Sequence, residues 1–183
     1  MGKNNKSALK KKNGKRGESM LRELLETVVS AGIIAFIIIT FIGQVTVVKG
    51  ASMEDTLFNR ERLICNKISY RFTEPQHGDI VIFKPPIDQG HNYIKRVIGV
   101  EGDKIKIIEG TVYLNGEKLE EDYIIHHSYE TMPEITVNKG SFFVMGDNRG
   151  NSSDSRFWGF VPRKNIIGKA SVVFWPITKA RMP

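Results

Sequence analysis

Two adjacent basic residues in an apolar run, Lys95 and Arg96, could carry acid–base chemistry. The side chains around them are Tyr93, Ile94, Val97 and Ile98. In a strand, only one of two neighbours faces the core. Burial lowers the pKa of lysine from about 10.4, whereas arginine keeps its proton. Lys95 is therefore a candidate general base for a serine hydroxyl, with Arg96 directed to solvent or a carboxylate. Taken alone, the run is also typical of two surface charges on an edge strand.

A candidate nucleophile, Ser52, lies in the segment from Gly50 to Leu57. Gly50 has no Cβ, so a substrate carbonyl could approach backbone N–H groups that form an oxyanion hole. A serine in a loop is otherwise commonplace. This segment therefore gains meaning only together with a base.

A third segment, Gly146–Pro162, is dense in small polar residues and is predicted to be a loop. A solvated turn is one interpretation and a calcium loop is another, but the Asp and Asn spacing departs from the EF-hand pattern. Cys65 is the single cysteine, and with four histidines it does not supply the short ligand spacing of a structural zinc site. The adjacent pair His126 and His127 is typical of solvated side chains. No metal site is predicted.

These segments follow an apolar stretch that predicts a membrane anchor. Residues 27–48 contain no charged side chain, and 22 helical residues reach about 33 Å, enough for a bilayer core. Residues 1–26 carry eight Lys or Arg residues against three Glu residues. The positive-inside rule then predicts a cytoplasmic tail over 1–26, a transmembrane helix over 27–48 and an extracytoplasmic domain over 49–183. The predicted location is the cell membrane, with a single span.

Other interpretations of the apolar stretch fit less well. A cleaved secretory signal has a shorter apolar core of about 7–15 residues. A buried helix of a soluble domain would not explain the charge contrast across the stretch. The net charge of +7 is concentrated in the tail, which argues against a nucleic-acid partner and for a lipid bilayer as partner.

The region after Lys49 is predicted to be mainly β, as an antiparallel sheet or barrel without long helices. The predicted strands are short apolar runs bounded by Gly, Pro, Asn or Asp: Arg62–Cys65, Ile80–Phe83, Tyr93–Ile94, Ser141–Met145 and Ser171–Trp175. Residues 111–119 are predicted to form a hairpin, because Asn115-Gly116 suits the positive φ values of a type I′ turn.

Together and in this order, the Ser52, Lys95 and Gly146–Pro162 segments behind one anchor resemble the type I signal peptidases of bacteria. Gly78–Phe83 is a fourth matching block, so the resemblance spans nearly the whole chain. It implies a serine endopeptidase that removes N-terminal signal peptides from exported preproteins. Ser52 would be the nucleophile and Lys95 the general base, with no cofactor.

The resemblance also implies supporting roles. Ser152 matches a serine that hydrogen-bonds the lysine ammonium, and Asp154 and Arg156 match a supporting ion pair. The oxyanion hole would use the backbone N–H of Ser52, with help near Gly50.

Substrate contacts are implied as well. The substrate strand would lie between the segment leading to Ser52 and the strand Asn92–Lys95. The candidate substrate-binding residues are Met53, Asn92, Tyr93 and Ile94. The short connection over residues 104–140 resembles the compact Gram-positive form of the family.

One position departs from the family pattern. Asp55 stands where proline is usual, and proline would fix φ and restrain Glu54. A non-catalytic, membrane-tethered binding module is therefore an alternative function. A self-cleaving Ser-Lys peptidase of the repressor type is another, but it would need a DNA-binding module that residues 1–48 do not resemble.

Overall fold

A computed structural model describes residues 20, 22–36, 43–88 and 90–183 of the chain. The chain forms two compact units, Met1–Phe41 and Ile42–Pro183.

In the first unit, residues 22–36 form helix α1. Among the described residues, no helix has both the length and the apolar composition of a membrane span. The predicted span over 27–48 includes residues 37–42, which lie outside the described residues. The same holds for residues 1–19 and 21 of the predicted tail.

The predicted helix end at Val48 is wrong, because Gly43–Val47 forms strand β1. This strand contains Val45, Thr46 and Val47, whose branched Cβ atoms favour extended backbone. An uncharged apolar run does not by itself distinguish a helix from a strand. The extra segment supplies an edge strand of the main sheet.

The second unit is mainly antiparallel β structure, as predicted. Its strands are β1 (Gly43–Val47), β2 (Arg62–Asn66), β3 (Ile80–Phe83), β4 (Tyr93–Gly99), β5 (Lys104–Ile108), β6 (Thr111–Leu114), β7 (Glu117–Lys118), β8 (Met132–Thr136), β9 (Ser141–Met145), β10 (Val161–Pro162) and β11 (Ile166–Trp175). Two single-turn helices, α2 (Ser69–Phe72) and α3 (Ser155–Trp158), lie between strands. The five apolar runs predicted as strands all lie within this set.

The strands form two sheets. The larger has seven strands in the order β1-β2-β11-β3-β4-β9-β10, and the smaller has four in the order β7-β6-β5-β8. The predicted hairpin is confirmed: Leu114 pairs with Glu117, and Asn115 and Gly116 have φ values of 55° and 89°.

Buried side chains tie the sheets together. Ile98 of β4 and Phe143 of β9 pack with Ile105 and Ile107 of the smaller sheet. A second cluster packs Met53 and Leu57 against the core face of β2, β3 and β11. Burying a side chain of this size stabilises the fold by about 2 kcal/mol. The core therefore holds three things in place: the turn after β1, the middle of β4 and the end of β9.

Candidate active site

Ser52 lies in a tight turn that is fastened to the core. The N–H of Leu57 donates to the carbonyl of Met53 at 2.7 Å. The side chains of Met53 and Leu57 are 2% and 0% exposed. Two buried anchors therefore hold the turn while Ser52 stays partly accessible.

Lys95 lies in the middle of β4, opposite Val81 of β3. Its side chain is 3% exposed, and its Nζ lies 2.5 Å from Ser52 Oγ. The ring of Tyr93 lies beside the amine, with 5.8 Å between Nζ and the ring centroid. The structure thus brings together the two residues that the sequence singled out.

Burial changes the protonation of this amine. Loss of solvent lowers the pKa of Lys95 from 10.5 to about 8. The charges of Asp154 and Asp147 oppose this shift, and Arg156 adds to it. No carboxylate of the described residues lies within ion-pair distance of Nζ. At pH 7 about one amine in ten is therefore neutral.

The hydrogen bond between the two residues depends on that protonation. As an ammonium, Lys95 donates to Ser52 Oγ. As a neutral amine it has a lone pair, and the Ser52 O–H can donate to Nζ instead. The second form prepares Oγ for attack on a carbonyl carbon.

Arg96 points to the opposite side of β4 and is fully paired. Its Nε and Nη2 donate to the two oxygens of Asp147 at 2.9 and 2.7 Å. Thr56 Oγ1 donates to the same carboxylate at 2.6 Å. Asp147 thereby links β4 to the turn that carries Ser52.

Asp154 and Arg156 form a buried ion pair in the loop after β9. Arg156 Nε donates to Asp154 at 2.8 Å, and the other Asp154 oxygen accepts from the N–H of Gly146 at 3.0 Å. Asp154 is 0% exposed. The pair fixes the backbone that approaches Ser52.

That approach is close at Gly146. A Cβ on Gly146 would lie 2.4 Å from the carbonyl oxygen of Ser52 and 2.3 Å from Ser152 Oγ. The same Ser52 carbonyl accepts from the N–H of Asn148 at 3.1 Å. Only glycine fits where the loop packs on the turn.

The hydrogen bond expected from Ser152 to Lys95 is not formed. Ser152 Oγ is buried and makes no hydrogen bond to any described residue. It packs against the backbone of Gly146, and Lys95 Nζ is engaged with Ser52. Ser152 is thus close to the site with an unused hydroxyl.

Gly50 does not offer its N–H to an oxyanion. It has a φ of 88°, in the left-handed region that glycine favours. Its N–H donates to Asn59 Oδ1 at 3.2 Å. The expectation of a Gly50 donor is therefore wrong in this structure, while no acceptor of the described residues takes the Ser52 N–H.

A cleft of 740 Å³ opens in front of Ser52 and Lys95. One wall runs from Gln44 in β1 to Met53, and the other comprises residues 88 and 90–95. The predicted substrate-binding residues Met53, Asn92, Tyr93 and Ile94 all line it. Among the described residues, no group of His, Cys, Asp and Glu side chains is suited to hold a metal ion.

The family model that describes the signal peptidases, peptidase S26, matches residues 21–175. The chain belongs to this family.

Relatives cover most of the chain. A probable signal peptidase I-2 of Synechocystis is 42% identical over 92% of this chain and 80% of its own length. Signal peptidase IB of Staphylococcus aureus is 34% identical over 87% of this chain and 94% of its own length. A crystal structure of a signal peptidase I from Enterococcus faecalis aligns with 54% of this chain and 98% of its own, at 32% identity and a TM-score of 0.48.

All the candidate site residues lie inside the segment that matches the signal peptidase family. Asp55, which the resemblance matches to a proline, is half-buried and forms no hydrogen bond or ion pair with the described residues. Its carboxylate therefore does not engage the amine of Lys95.

Sequence reasoning missed several residues that shape the site. Thr56 lies in the Gly50–Leu57 segment and Asp147 in the Gly146–Pro162 segment, but nothing in the sequence indicates that they meet. The segment leading to Ser52 is expected from the resemblance to flank the substrate, but the predicted anchor over 27–48 did not indicate that Gly43–Val47 forms strand β1 there. Glu121, which pairs with Arg149 behind the loop, belongs to no motif.

Proposed function

We propose that this chain is a membrane-bound serine endopeptidase that removes N-terminal signal peptides from exported preproteins. The observation that carries the proposal is the 2.5 Å approach of Lys95 Nζ to Ser52 Oγ in a buried setting. Membership of the signal peptidase family supports the choice of substrate.

In the first step, neutral Lys95 takes the proton of Ser52 while Oγ attacks the scissile carbonyl carbon. The oxyanion that forms accepts a hydrogen bond from the Ser52 N–H. The Lys95 ammonium then gives its proton to the leaving amine. The C–N bond breaks, and an acyl-enzyme ester remains on Ser52.

In the second step, water attacks the ester carbonyl and gives a proton to Lys95. The C–O bond to Ser52 breaks, Oγ recovers a proton from Lys95, and the signal peptide leaves with a free carboxyl group, which loses its proton to solvent. Lys95 ends neutral, as it began. Neither step requires a metal or an organic cofactor.

The substrate is proposed to bind as an extended strand in the 740 Å³ cleft. β1 is an edge strand of the larger sheet, so backbone groups on its outer edge can pair with a peptide. Met53, Tyr93 and Ile94 would contact the residues before the cut. The buried Asp147 and the Asp154–Arg156 pair would hold the reacting side chains from behind.

We further propose the membrane arrangement expected from the sequence, with a cytoplasmic basic tail over 1–26, an anchor that begins near residue 27, and an extracytoplasmic domain. Exposed apolar side chains on the outer face of β1, β2 and β11 support a lipid partner. Val45, Ile64 and Val172 form one cross-strand row there, and Trp175 is 54% exposed. A shared membrane plane would raise the effective concentration of anchored precursors.

The test uses the full chain in lipid vesicles with a radiolabelled precursor, and compares the wild type with Ser52→Ala and Lys95→Met. Each substitution is expected to lower kcat by about 10⁴-fold or more, because the two groups act as a unit. Glu74→Gln removes an exposed carboxylate paired with Arg163 and is the control that should keep wild-type activity.

Retained cleavage in either Ser52→Ala or Lys95→Met would overturn the assignment of the pair. A folded wild type that neither cleaves precursors nor reacts with a serine-directed acylating inhibitor would instead indicate a non-catalytic module.

A further inference from the structure

The segment that follows β7 contacts the loop behind the reacting pair. Residues 119–130 run along the back of the loop after β9, and we call them the strap. Four groups of the strap contact that loop: the side chains of Glu121, Ser128 and Glu130, and the carbonyl of His126. A long segment without regular structure is thereby fastened to the backbone that supports Ser52.

The centre of this contact is a buried ion pair between Arg149 and Glu121. Arg149 is 2% exposed, and the Glu121 side chain is 7% exposed. Arg149 Nη1 donates to Glu121 Oε2 at 2.9 Å, and Nη2 donates to Oε1. Among the described residues, Glu121 is the carboxylate that compensates this arginine.

Arg149 passes this restraint to the reacting groups. Its Nε donates to the carbonyl of Gly146 at 3.0 Å. The other face of Gly146 packs on the Ser52 carbonyl and on Ser152 Oγ, without room for a Cβ. One chain of contacts therefore joins Glu121 to Ser52.

The same part of the strap also supports β4. Tyr123 donates its O–H to Glu121 at 2.6 Å, and its ring faces the guanidinium of Arg96, with 4.0 Å from Cζ to the ring centroid. Arg96 adjoins Lys95 in the strand. Glu121 is thus connected to Ser52 through Arg149 and Gly146, and Tyr123 contacts the neighbour of Lys95 in β4.

We propose that Glu121 is a positioning residue for cleavage, acting through Arg149 and Gly146 to hold Ser52 against Lys95. This inference rests on the proposed function. Glu121 touches neither the substrate nor the reacting atoms. Its carboxylate is needed because a guanidinium buried without a partner would move or draw in water.

The test measures kcat, KM, the pH–rate profile and Tm for the wild type, Glu121→Gln and the double variant Glu121→Gln/Arg149→Met, all as full chains in vesicles. Glu121→Gln is expected to lower kcat by about 10- to 100-fold, with KM changed by less than about threefold, because misplacement affects the reacting geometry. The rise of kcat with pH, which we call the pH–rate limb, is expected to move to higher pH. A loosened loop admits water to Lys95 and so raises the pKa of its amine. The charges that face Lys95 and also set this limb are Asp154, Asp147 and Arg156.

The double variant separates positioning from folding. Removing both charges avoids a lone buried charge, so Tm is expected to recover toward the wild type. The kcat value is expected to stay low, because nothing then holds the Gly146 carbonyl. A matched control is Asp103→Asn, which removes a carboxylate that is 12% exposed and bonded to His77. It should lower Tm and leave the pH–rate limb in place.

Two results would overturn the inference. One is a folded Glu121→Gln variant with wild-type kcat and an unmoved limb. The other is a double variant that regains kcat together with Tm, which would make the pair merely structural. Failure of the proposed function is distinct, since it would appear as wild-type chain without Ser52-dependent cleavage.

Discussion

The two sides of β4 bury basic side chains in opposite ways. On one side, Lys95 is 3% exposed, and no carboxylate of the described residues pairs with it. On the other, Arg96 binds both oxygens of Asp147. Burial lowers the pKa of Lys95 to about 8, whereas the carboxylate of Asp147 raises the pKa of Arg96 despite burial. The same strand therefore provides a base that loses its proton and a charge that is kept.

The difference shows what a carboxylate does in this protein. Arg149 and Arg156 repeat the Arg96 arrangement with Glu121 and Asp154. These paired charges fix loops, and the unpaired amine is left for chemistry. The protein excludes carboxylates from direct contact with one buried cation while supplying them to its neighbours.

The largest loss of stability is expected when the carboxylate that pairs with Arg96 is removed. Asp147→Asn leaves Arg96 without a counter-charge, and removal of one partner of a buried pair costs about 3–5 kcal/mol. Urea unfolding at pH 7 measures the loss, and precursor cleavage should fall with it because the Ser52 turn is released. Glu74→Gln is the matched control, since Glu74 is 70% exposed and its pair with Arg163 is worth at most about 1 kcal/mol. Equal losses in the two variants would contradict the comparison.

The next largest change in stability is expected at Lys95, which has no carboxylate partner among the described residues, and there the substitution stabilises the protein. Below pH 8 the folded protein must hold a buried ammonium, so Lys95→Met should be more stable than the wild type by about 3 kcal/mol, the equivalent of the pKa difference from 10.5 to about 8. Between pH 8 and 10.5 the unfolded chain binds the extra proton, so wild-type stability rises with pH and the gain shrinks. Unfolding curves from pH 6 to 10.5 measure this.

The contrasting variant is Arg96→Met, which leaves the buried carboxylate of Asp147 without its cationic partner. It should be less stable than the wild type at every pH in that range. A Lys95→Met gain that does not change with pH would show that packing, and not the amine's protonation, causes it.

Several strands and the two reacting residues could be predicted from the sequence. Strands such as Ile80–Phe83 were predicted because β-branched and aromatic runs end at turn residues. Ser52 and Lys95 could be chosen because each lies in a segment that resembles a known family. The alternation in β5, where buried Ile105 and Ile107 alternate with exposed Lys104, Lys106 and Ile108, is the pattern of a strand with one buried face.

The rest depends on contacts between distant segments. The predicted anchor included β1 because its residues are uncharged, and only pairing with β2 makes them a strand. Glu121 and Arg149 meet because the smaller sheet folds back on β4 and β9, and no local periodicity records that. Ser152 was placed on Lys95 by resemblance, while the actual packing turns its hydroxyl toward Gly146.

The smallest loss of stability is expected from removing the hydroxyl that shares the Asp147 carboxylate with Arg96. Thr56→Val removes the hydroxyl that donates to Asp147 at 2.6 Å and accepts from Arg96 Nη2 at 3.4 Å, but leaves the direct Arg96–Asp147 pair in place. Because the acceptor is charged and buried, the loss should be about 1.5 kcal/mol, seen as a lower urea midpoint with an unchanged m value. Thr73→Val is the control, since its exposed hydroxyl donates to the neutral carbonyl of Ser69, and it should change stability by less than about 0.5 kcal/mol. If the two variants lose the same stability, the charge of Asp147 adds nothing to that bond, and the bond does not fasten the turn of Ser52 to β4.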